Sequence, residues 1–366
     1  MTDITPDPSP ANEIIRVKLL RKSANLKETE NFLRRFPGGV PVWGRCHFLL
    51  DTETCDYDWL VVYDDLPPVG PQRFSTREEP LACPSSHTLL VTAEPSTIKV
   101  YGSLFLAQFE HVLTSQEPWV IRHPGAIFSQ PALLWFYGRS DERGSFDHMI
   151  LHPPVEKTAM ISTVCSSKQQ THTLHQARYR FVQKLRPLLS EMDVFGHGVR
   201  PIADKAEALD PYRYHIAMEN HVCRHHWTEK LADAFLGLCL PFYHGCPNAE
   251  DYFPDDSFIR IDIRRVEESA ERIRQAIRDH EYERRLPAIH EARRRVLYDY
   301  GMFAVMSKII ESRHTAITPQ HDGPSRYILS RRALRHRSMG NMLSFALEKL
   351  VVGTRHRWQV FSRTRP

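Results

Sequence analysis

The feature of this sequence that most constrains its fold is a strand pattern that ends at polar residues and is followed by a capped helix. Residues 212–218 alternate, with aromatic and apolar side chains on one face, and the pattern stops at Glu219-Asn220. Thr228 is a good N-cap residue, and the apolar residues after it recur at helical spacing until Pro241. The sequence therefore predicts a strand, a polar loop and a helix in succession, as in an α/β fold.

The first turn of this helix holds Glu229 and Lys230. A helix N-terminus offers unpaired backbone N–H groups and the positive end of the helix dipole, and both suit a diphosphate. The Lys230 ammonium adds a mobile hydrogen-bond donor. The pattern therefore predicts a site for a phosphorylated ligand, although Glu229 could instead serve only to complement the helix dipole.

Other parts of the chain repeat the alternation of strands and helices. Short continuous apolar runs are typical of parallel strands that are covered on both faces. Such runs occur at residues 14–20, 59–63, 88–92, 160–164 and 192–196. In parallel sheets the loops at the carboxyl ends of the strands carry the ligand chemistry, and Glu94 follows one of these runs.

The chain is long enough for two domains that each bury a core. Its 366 residues favour two lobes, and the Pro-rich segment 152–157 predicts the boundary between them. The predicted divisions are a flexible N-terminal tail at residues 1–13, a first lobe at residues 14–155, a second lobe at residues 156–325 and a basic C-terminal tail at residues 326–366. We expect the ligand to bind in the cleft between the lobes.

The C-terminal tail holds an excess of positive charge. Residues 326–366 contain ten Lys or Arg and one acidic residue, so they carry +9, and because the whole chain carries +4, residues 1–325 carry −5. A net charge of +4 is too small to indicate nucleic-acid binding. Leu343, Phe345 and Leu350 lie among the basic residues, and a basic amphipathic helical segment suits an anionic membrane surface. The alternative is a helix packed on the lobes with solvated charges.

The seven cysteines show no CxxC motif and no framework spacing, which predicts reduced thiols in a cytoplasmic protein. The N-terminus is polar and acidic, unlike a signal peptide, and no run of about 18 apolar residues occurs. We therefore expect a cytoplasmic location, with any membrane contact peripheral and on the inner face.

One loop is rich in residue types that bind zinc: His221, Cys223, His225 and His226. Their spacing is irregular and no second pair of ligands follows nearby, so we expect no metal site from this segment. The acidic pairs Asp64-Asp65 and Asp255-Asp256 stand beside prolines, and turn chemistry explains them better than metal binding does.

Several short segments follow one another in a fixed order: 214–220 (YHIAMEN), 227–231 (WTEKL), 240–245 (LPFYHG), 252–254 (YFP) and 257–259 (SFI). Their order and spacing resemble the α1,3/4-fucosyltransferase family, glycosyltransferase family 10. Upstream, residues 192–196 (MDVFG) resemble a short strand of that family, and Arg178 stands at the position of its phosphate-binding arginine. In the first lobe, residues 93–96 (AEPS) are similar to the family's segment that holds the proposed catalytic base.

The resemblance implies two Rossmann-like lobes of GT-B type, with an acceptor-binding lobe first and a GDP-fucose lobe second. It implies an inverting, metal-independent transfer of fucose from GDP-fucose to a hydroxyl of a glycan, with no further cofactor. A lipid-linked oligosaccharide acceptor would suit the membrane surface expected for the basic tail. Glu94 would be the catalytic base. The other implied roles concern the donor: Arg178 and Lys230 for the diphosphate, Asn220 and Glu229 for the sugar and ribose hydroxyls, and Glu219 for donor hydroxyls or for structure.

One position departs from the family pattern. His226 stands where the family commonly has tyrosine, so the contacts with the nucleoside are expected to differ, although imidazole can also stack and hydrogen-bond. Two alternatives therefore stay open beside the fucosyltransferase. One is a GT-B enzyme that uses another nucleotide sugar, and the other is a non-catalytic module that binds a nucleotide or a glycan.

Overall fold

The computed structural model describes residues 13–22, 26–140, 142–167, 173–315 and 326–363, so the predicted N-terminal tail lies almost wholly outside the described residues. Two separate sheets form the framework. Strands of the first sheet are parallel except for β2, which pairs antiparallel with β3. Its spatial order is β2-β3-β1-β4-β6-β7-β8. The strands are β1 (Ile15–Arg21), β2 (Val42–Trp43), β3 (Cys46–Leu49), β4 (Trp59–Tyr63), β6 (Thr88–Val91), β7 (His111–Thr114) and β8 (Ala126–Phe128).

The second sheet is wholly parallel and has the order β10-β9-β11-β12-β13. Its strands are β9 (Ala159–Val164), β10 (Met192–Phe195), β11 (Tyr212–Met218), β12 (Leu240–His244) and β13 (Ile259–Arg260). A small antiparallel pair, β5 (Glu78–Pro80) and β14 (Tyr327–Leu329), stands apart from both sheets.

Helices cover the sheets. They are α1 (Leu26–Leu33), α2 (Ser103–Leu106), α3 (Phe146–Leu151), α4 (His175–Leu185), α5 (Glu229–Leu236), α6 (Val266–Arg278), α7 (Glu281–Tyr298), α8 (Met302–Glu311), α9 (Arg331–His336) and α10 (Met339–Arg363). The two layered lobes confirm the predicted α/β class with two Rossmann-like halves. The apolar runs form central strands because both faces are buried; residues 59–62 have no exposed surface.

The lobes are not divided along the chain as the sequence predicted. The expected boundary segment, residues 152–157, lies between the end of α3 at Leu151 and the start of β9 at Ala159. However, α8 falls inside the range predicted for the second lobe and packs on the first. Phe303 of α8 stacks on Phe36 with ring centroids 3.8 Å apart. The chain therefore crosses back to the first lobe around Gly301, because α8 is apolar enough to complete the first core.

The C-terminal region is also part of the first lobe. Strand β14 pairs with β5, and Ile328 is buried in the first-lobe core. Helix α10 follows, and its Glu348 carboxylate accepts a hydrogen bond from the Ser103 backbone N–H at 2.9 Å. Within the described residues, no helix combines the length and the apolar character needed to cross a bilayer.

Candidate active site

In the second lobe the end of β11 lies beside the start of α5. Glu219 directly follows β11 and is fully buried. Its carboxylate accepts hydrogen bonds from the Thr228 backbone N–H at 2.8 Å and from the Thr228 hydroxyl at 2.6 Å. Thr228 in turn is the N-cap of α5 and accepts a hydrogen bond from the Lys230 backbone N–H. Glu219 therefore fastens the start of α5 to the end of β11, and the strand-loop-helix unit predicted from the sequence is present.

Glu229 lies between two lysines at the start of α5. Its Oε1 is 2.7 Å from the Lys230 ammonium and 4.0 Å from the ammonium of Lys205. Burial opposes ionisation of Glu229, but the two lysines hold its pKa at about 2. The ammonium of Lys230 also lies 3.7 Å from the carboxylate of Glu219. The start of α5 thus presents a charged cluster in which the carboxylate of Glu229 is ionised.

Lys205 was missed by the sequence analysis. It lies in a short 3-10 helix that precedes β11, and its ammonium also pairs with Asp233 at 2.7 Å. The signal that could have revealed it is the pattern Asp-x-x-Glu at residues 204–207, which forms a capping box and marks a helix start. Its nearness to Glu229 depends on the folded loop, which the pattern does not report.

Arg178 and Asn220 meet although they are 42 residues apart in sequence. Arg178 lies on α4, is buried, and donates from Nη1 to the Asn220 side-chain oxygen. Its Nε has no hydrogen-bond partner among the described residues. Burial lowers the pKa of this guanidinium. A buried donor without a partner is costly, so the arrangement suits an anionic ligand that would accept the remaining N–H.

The first lobe contributes Glu94, which lies in the loop after β6. The side-chain amide of Gln116 donates to the backbone carbonyl of Glu94 at 2.7 Å. The side chain of Glu94 itself is exposed to solvent. Partial desolvation by burial, together with the carboxylate of Asp64, raises the pKa of Glu94. Glu229 and Lys230 are also near enough to alter this pKa, in opposite directions. Glu94 of the first lobe therefore lies within electrostatic range of the charged start of α5 in the second lobe.

His226 lies at the contact between the lobes. It is 4% exposed, and its Nδ1 is 2.9 Å from the Ser115 hydroxyl of the first lobe. Burial lowers its pKa to about 3, so the ring is neutral near pH 7. The predicted nucleoside contact of His226 stays a prediction, and little of the ring is accessible to a ligand in this arrangement.

The role of Glu219 in bracing α5 gives a stability prediction. Glu219→Ala is expected to lower the free energy of unfolding by about 3 kcal/mol, because the buried N–H and hydroxyl of Thr228 lose their acceptor. Urea denaturation measures the change. Glu271→Ala, at an exposed position on α6, should leave the urea midpoint unchanged. Equal midpoints for the two variants would contradict the bracing role.

Two lobes, each built on a sheet of mainly parallel strands covered by helices, are the architecture of the GT-B class of fold. Residues 154–285 match the family model described as Glycosyltransferase family 10 (fucosyltransferase) C-term, which confirms the resemblance over that range. A 4-galactosyl-N-acetylglucosaminide 3-alpha-L-fucosyltransferase of Gorilla gorilla gorilla is 31% identical over 119 residues, which cover 30% of each chain. A 3-galactosyl-N-acetylglucosaminide 4-alpha-L-fucosyltransferase of Homo sapiens is 30% identical over 119 residues, or 30% of this chain and 32% of the relative.

The match thus spans about a third of the length of these curated relatives. A crystal structure of an alpha1,3-fucosyltransferase superposes with a TM-score of 0.49 at 14% identity, covering 88% of this chain and 95% of that one. The matched residues 154–285 contain Arg178, Glu219, Asn220, Glu229 and Lys230. Glu94 lies outside this range, so its role as the base stays a prediction that depends on the short similarity at residues 93–96.

Proposed function

We propose that this protein is an inverting α1,3-type fucosyltransferase that moves fucose from GDP-fucose to a hydroxyl of a glycan acceptor. The observation that carries the proposal is the charged start of α5, where the Lys230 ammonium lies 2.7 Å from the carboxylate of Glu229 and 3.7 Å from that of Glu219, within the residues that match the family model. Glu94 of the first lobe lies within electrostatic range of this cluster. The family match of the second lobe, with curated relatives that are fucosyltransferases, supports the donor.

In the proposed reaction each residue acts on a specific group of the substrates. Glu94 takes the proton of the acceptor hydroxyl as that oxygen attacks C1 of the fucose from the face opposite the phosphate. The bond from C1 to the phosphate oxygen breaks, and GDP leaves with its pair of electrons. Arg178 and Lys230 stabilise the charge that grows on the diphosphate, and a buried guanidinium does this without reorganising water. The ionised carboxylate of Glu229 accepts hydrogen bonds from donor hydroxyls, and the side-chain amide of Asn220 donates to them or accepts from them.

The choice of nucleotide can be tested without knowing the acceptor. Calorimetric titration should show GDP binding at least about tenfold more tightly than UDP or CMP. Binding of UDP alone would instead favour the GT-B enzyme with another nucleotide sugar. The comparison is informative because His226 replaces the usual tyrosine, so the contacts with the nucleoside are expected to differ from those of the family.

A non-catalytic binding module would differ from the proposed enzyme in that it would not turn over GDP-fucose. Incubation with GDP-fucose and a pooled glycan array should release GDP and produce fucosylated glycans that mass spectrometry detects. If GDP binds but neither hydrolysis nor transfer occurs with any glycan, the protein is a nucleotide-binding module and the proposed enzyme activity is wrong.

We also propose that α10 attaches the protein peripherally to an anionic membrane on its cytoplasmic face. One side of α10 packs on the first lobe through Phe345, Glu348 and Val352. The opposite side presents Leu343, Leu347 and Leu350, which are 66%, 62% and 62% exposed. An exposed apolar stripe beside Lys and Arg residues is typical of helices that lie in a membrane interface.

The membrane proposal predicts the behaviour of a triple variant. Replacing Leu343, Leu347 and Leu350 by serine should greatly reduce co-sedimentation with vesicles that contain phosphatidylserine, because three apolar side chains no longer enter the interface. Wild-type binding should also fall as salt rises. The matched control replaces Leu151 and Val155, which are exposed elsewhere, and should bind as wild type. Unchanged vesicle binding by the triple variant would exclude α10 as the attachment.

A further inference from the structure

Three side chains with metal-ligand chemistry lie together beside the cleft. Glu117 follows β7 of the first lobe, and His221 and Cys223 lie in the loop after β11 of the second lobe. One ligand atom from each residue, namely a carboxylate oxygen, an imidazole nitrogen and the thiol sulfur, lies within 4.8 Å of the others. Carboxylate, imidazole and thiolate are all ligands that zinc takes in proteins.

Neighbouring hydroxyls already orient two of these ligands. His221 Nε2 lies 3.1 Å from Glu117 Oε1, and His221 Nδ1 lies 3.3 Å from the Thr97 hydroxyl. Thr97 can therefore accept the Nδ1–H when Nε2 binds a metal. The Ser96 hydroxyl donates to the other oxygen of Glu117 at 2.6 Å. Outer hydrogen bonds of this kind hold ligands in orientation around protein metal ions.

The grouping differs from the set that the sequence suggested. His225 and His226 were candidates in the same loop, but His225 Nδ1 lies 2.7 Å from the Tyr252 hydroxyl and His226 Nδ1 lies 2.9 Å from the Ser115 hydroxyl. Glu117 takes their place from 104 residues away. No further ligand follows this loop nearby in the sequence, but the first lobe supplies Glu117.

We propose that Glu117, His221 and Cys223 bind one divalent transition-metal ion, with zinc the metal that fits best, and that the ion joins the two lobes. In a tetrahedral zinc site the ligand atoms lie roughly 3.5 Å apart. Ligand atoms that lie within 4.8 Å of one another therefore need to approach by about 1.3 Å at most. A zinc ion held by three protein ligands takes water in its fourth position. The ion takes no part in the proposed fucosyl transfer, and the proposal of a metal site does not depend on that activity.

Metal titration of the full-length chain tests the site. The protein is stripped with a chelator under reducing conditions and titrated with Co²⁺, which stands in for zinc and reports thiolate ligation by a charge-transfer absorption band. About one equivalent should bind with this band, and elemental analysis after gel filtration should find about one zinc per chain. Cys223→Ser should lose the band, and His221→Ala should retain no zinc.

Matched variants separate the site from general binding to histidines and cysteines. His225→Ala and Cys55→Ser change the neighbouring ring and an exposed thiol, and both should keep the band and the zinc. Glu117→Gln keeps the shape and should weaken zinc binding by about tenfold or more, and circular dichroism verifies that each variant is folded. The proposal is overturned if the wild type retains no metal, if folded Cys223→Ser keeps the band, or if His225→Ala loses zinc as His221→Ala does.

Discussion

Replacing Glu94 by glutamine is expected to reduce kcat for fucosyl transfer by a factor of about 10² to 10⁴ while leaving GDP affinity unchanged. The amide keeps the size of the carboxylate but cannot accept the acceptor proton, and Glu94 lies on the lobe opposite to the predicted diphosphate contacts. Transfer is measured by GDP release with a glycan acceptor, and GDP affinity by calorimetry. Full activity in this variant would rule out Glu94 as the base.

The pH profile gives a second measurement of the same role. The ionised carboxylate is the active form, and partial desolvation with the nearby Asp64 raises its pKa. Activity should therefore be lost on acidification at a higher pH than an ordinary glutamate would give, and the residual activity of Glu94→Gln should lack this limb. Glu110→Gln, an exposed change at the opposite end of β7, is the matched control and should keep the wild-type profile.

Replacing Lys230 by alanine is expected to weaken GDP binding by about 10- to 100-fold, which corresponds to one hydrogen bond to a charged group. The loss has two sources. The diphosphate loses an ammonium, and Glu229, held ionised by Lys205 as well, keeps a negative charge that Lys230 no longer offsets. Calorimetry measures the affinity. Lys184→Ala, on the exposed side of α4, should bind GDP normally, and equal affinities of the two variants would contradict the phosphate role.

Local patterns predicted much of the second lobe. The strand at residues 212–218 and the helix capped by Thr228 are present because their side-chain periodicity and capping chemistry act within a few residues. The break between α6 and α7 has no local sequence signal. His280 adopts a positive φ of 53° there, and the charged pattern continues on both sides without glycine or proline at the break.

The contacts between distant segments could not be predicted from periodicity. An apolar helix pattern shows that one face is buried but not which sheet covers it, and α8 was therefore assigned to the wrong side of the cleft. The contacts of the site residues could not be predicted for the same reason. Lys205 reaches Glu229 only once the loop before β11 has folded within the second lobe, and Glu117 reaches His221 only where the two lobes meet.

The return of α8 and β14 to the first lobe has a consequence for synthesis of the chain. The first sheet begins at Ile15, but its core lacks Phe303 and its neighbours, and the surface against β5 lacks Ile328, until these residues leave the ribosome. The second lobe is encoded between these parts and can close its own core earlier. The N-terminal lobe is therefore the last to be completed, and its unfinished apolar face is the part of the nascent protein that chaperones would need to shield.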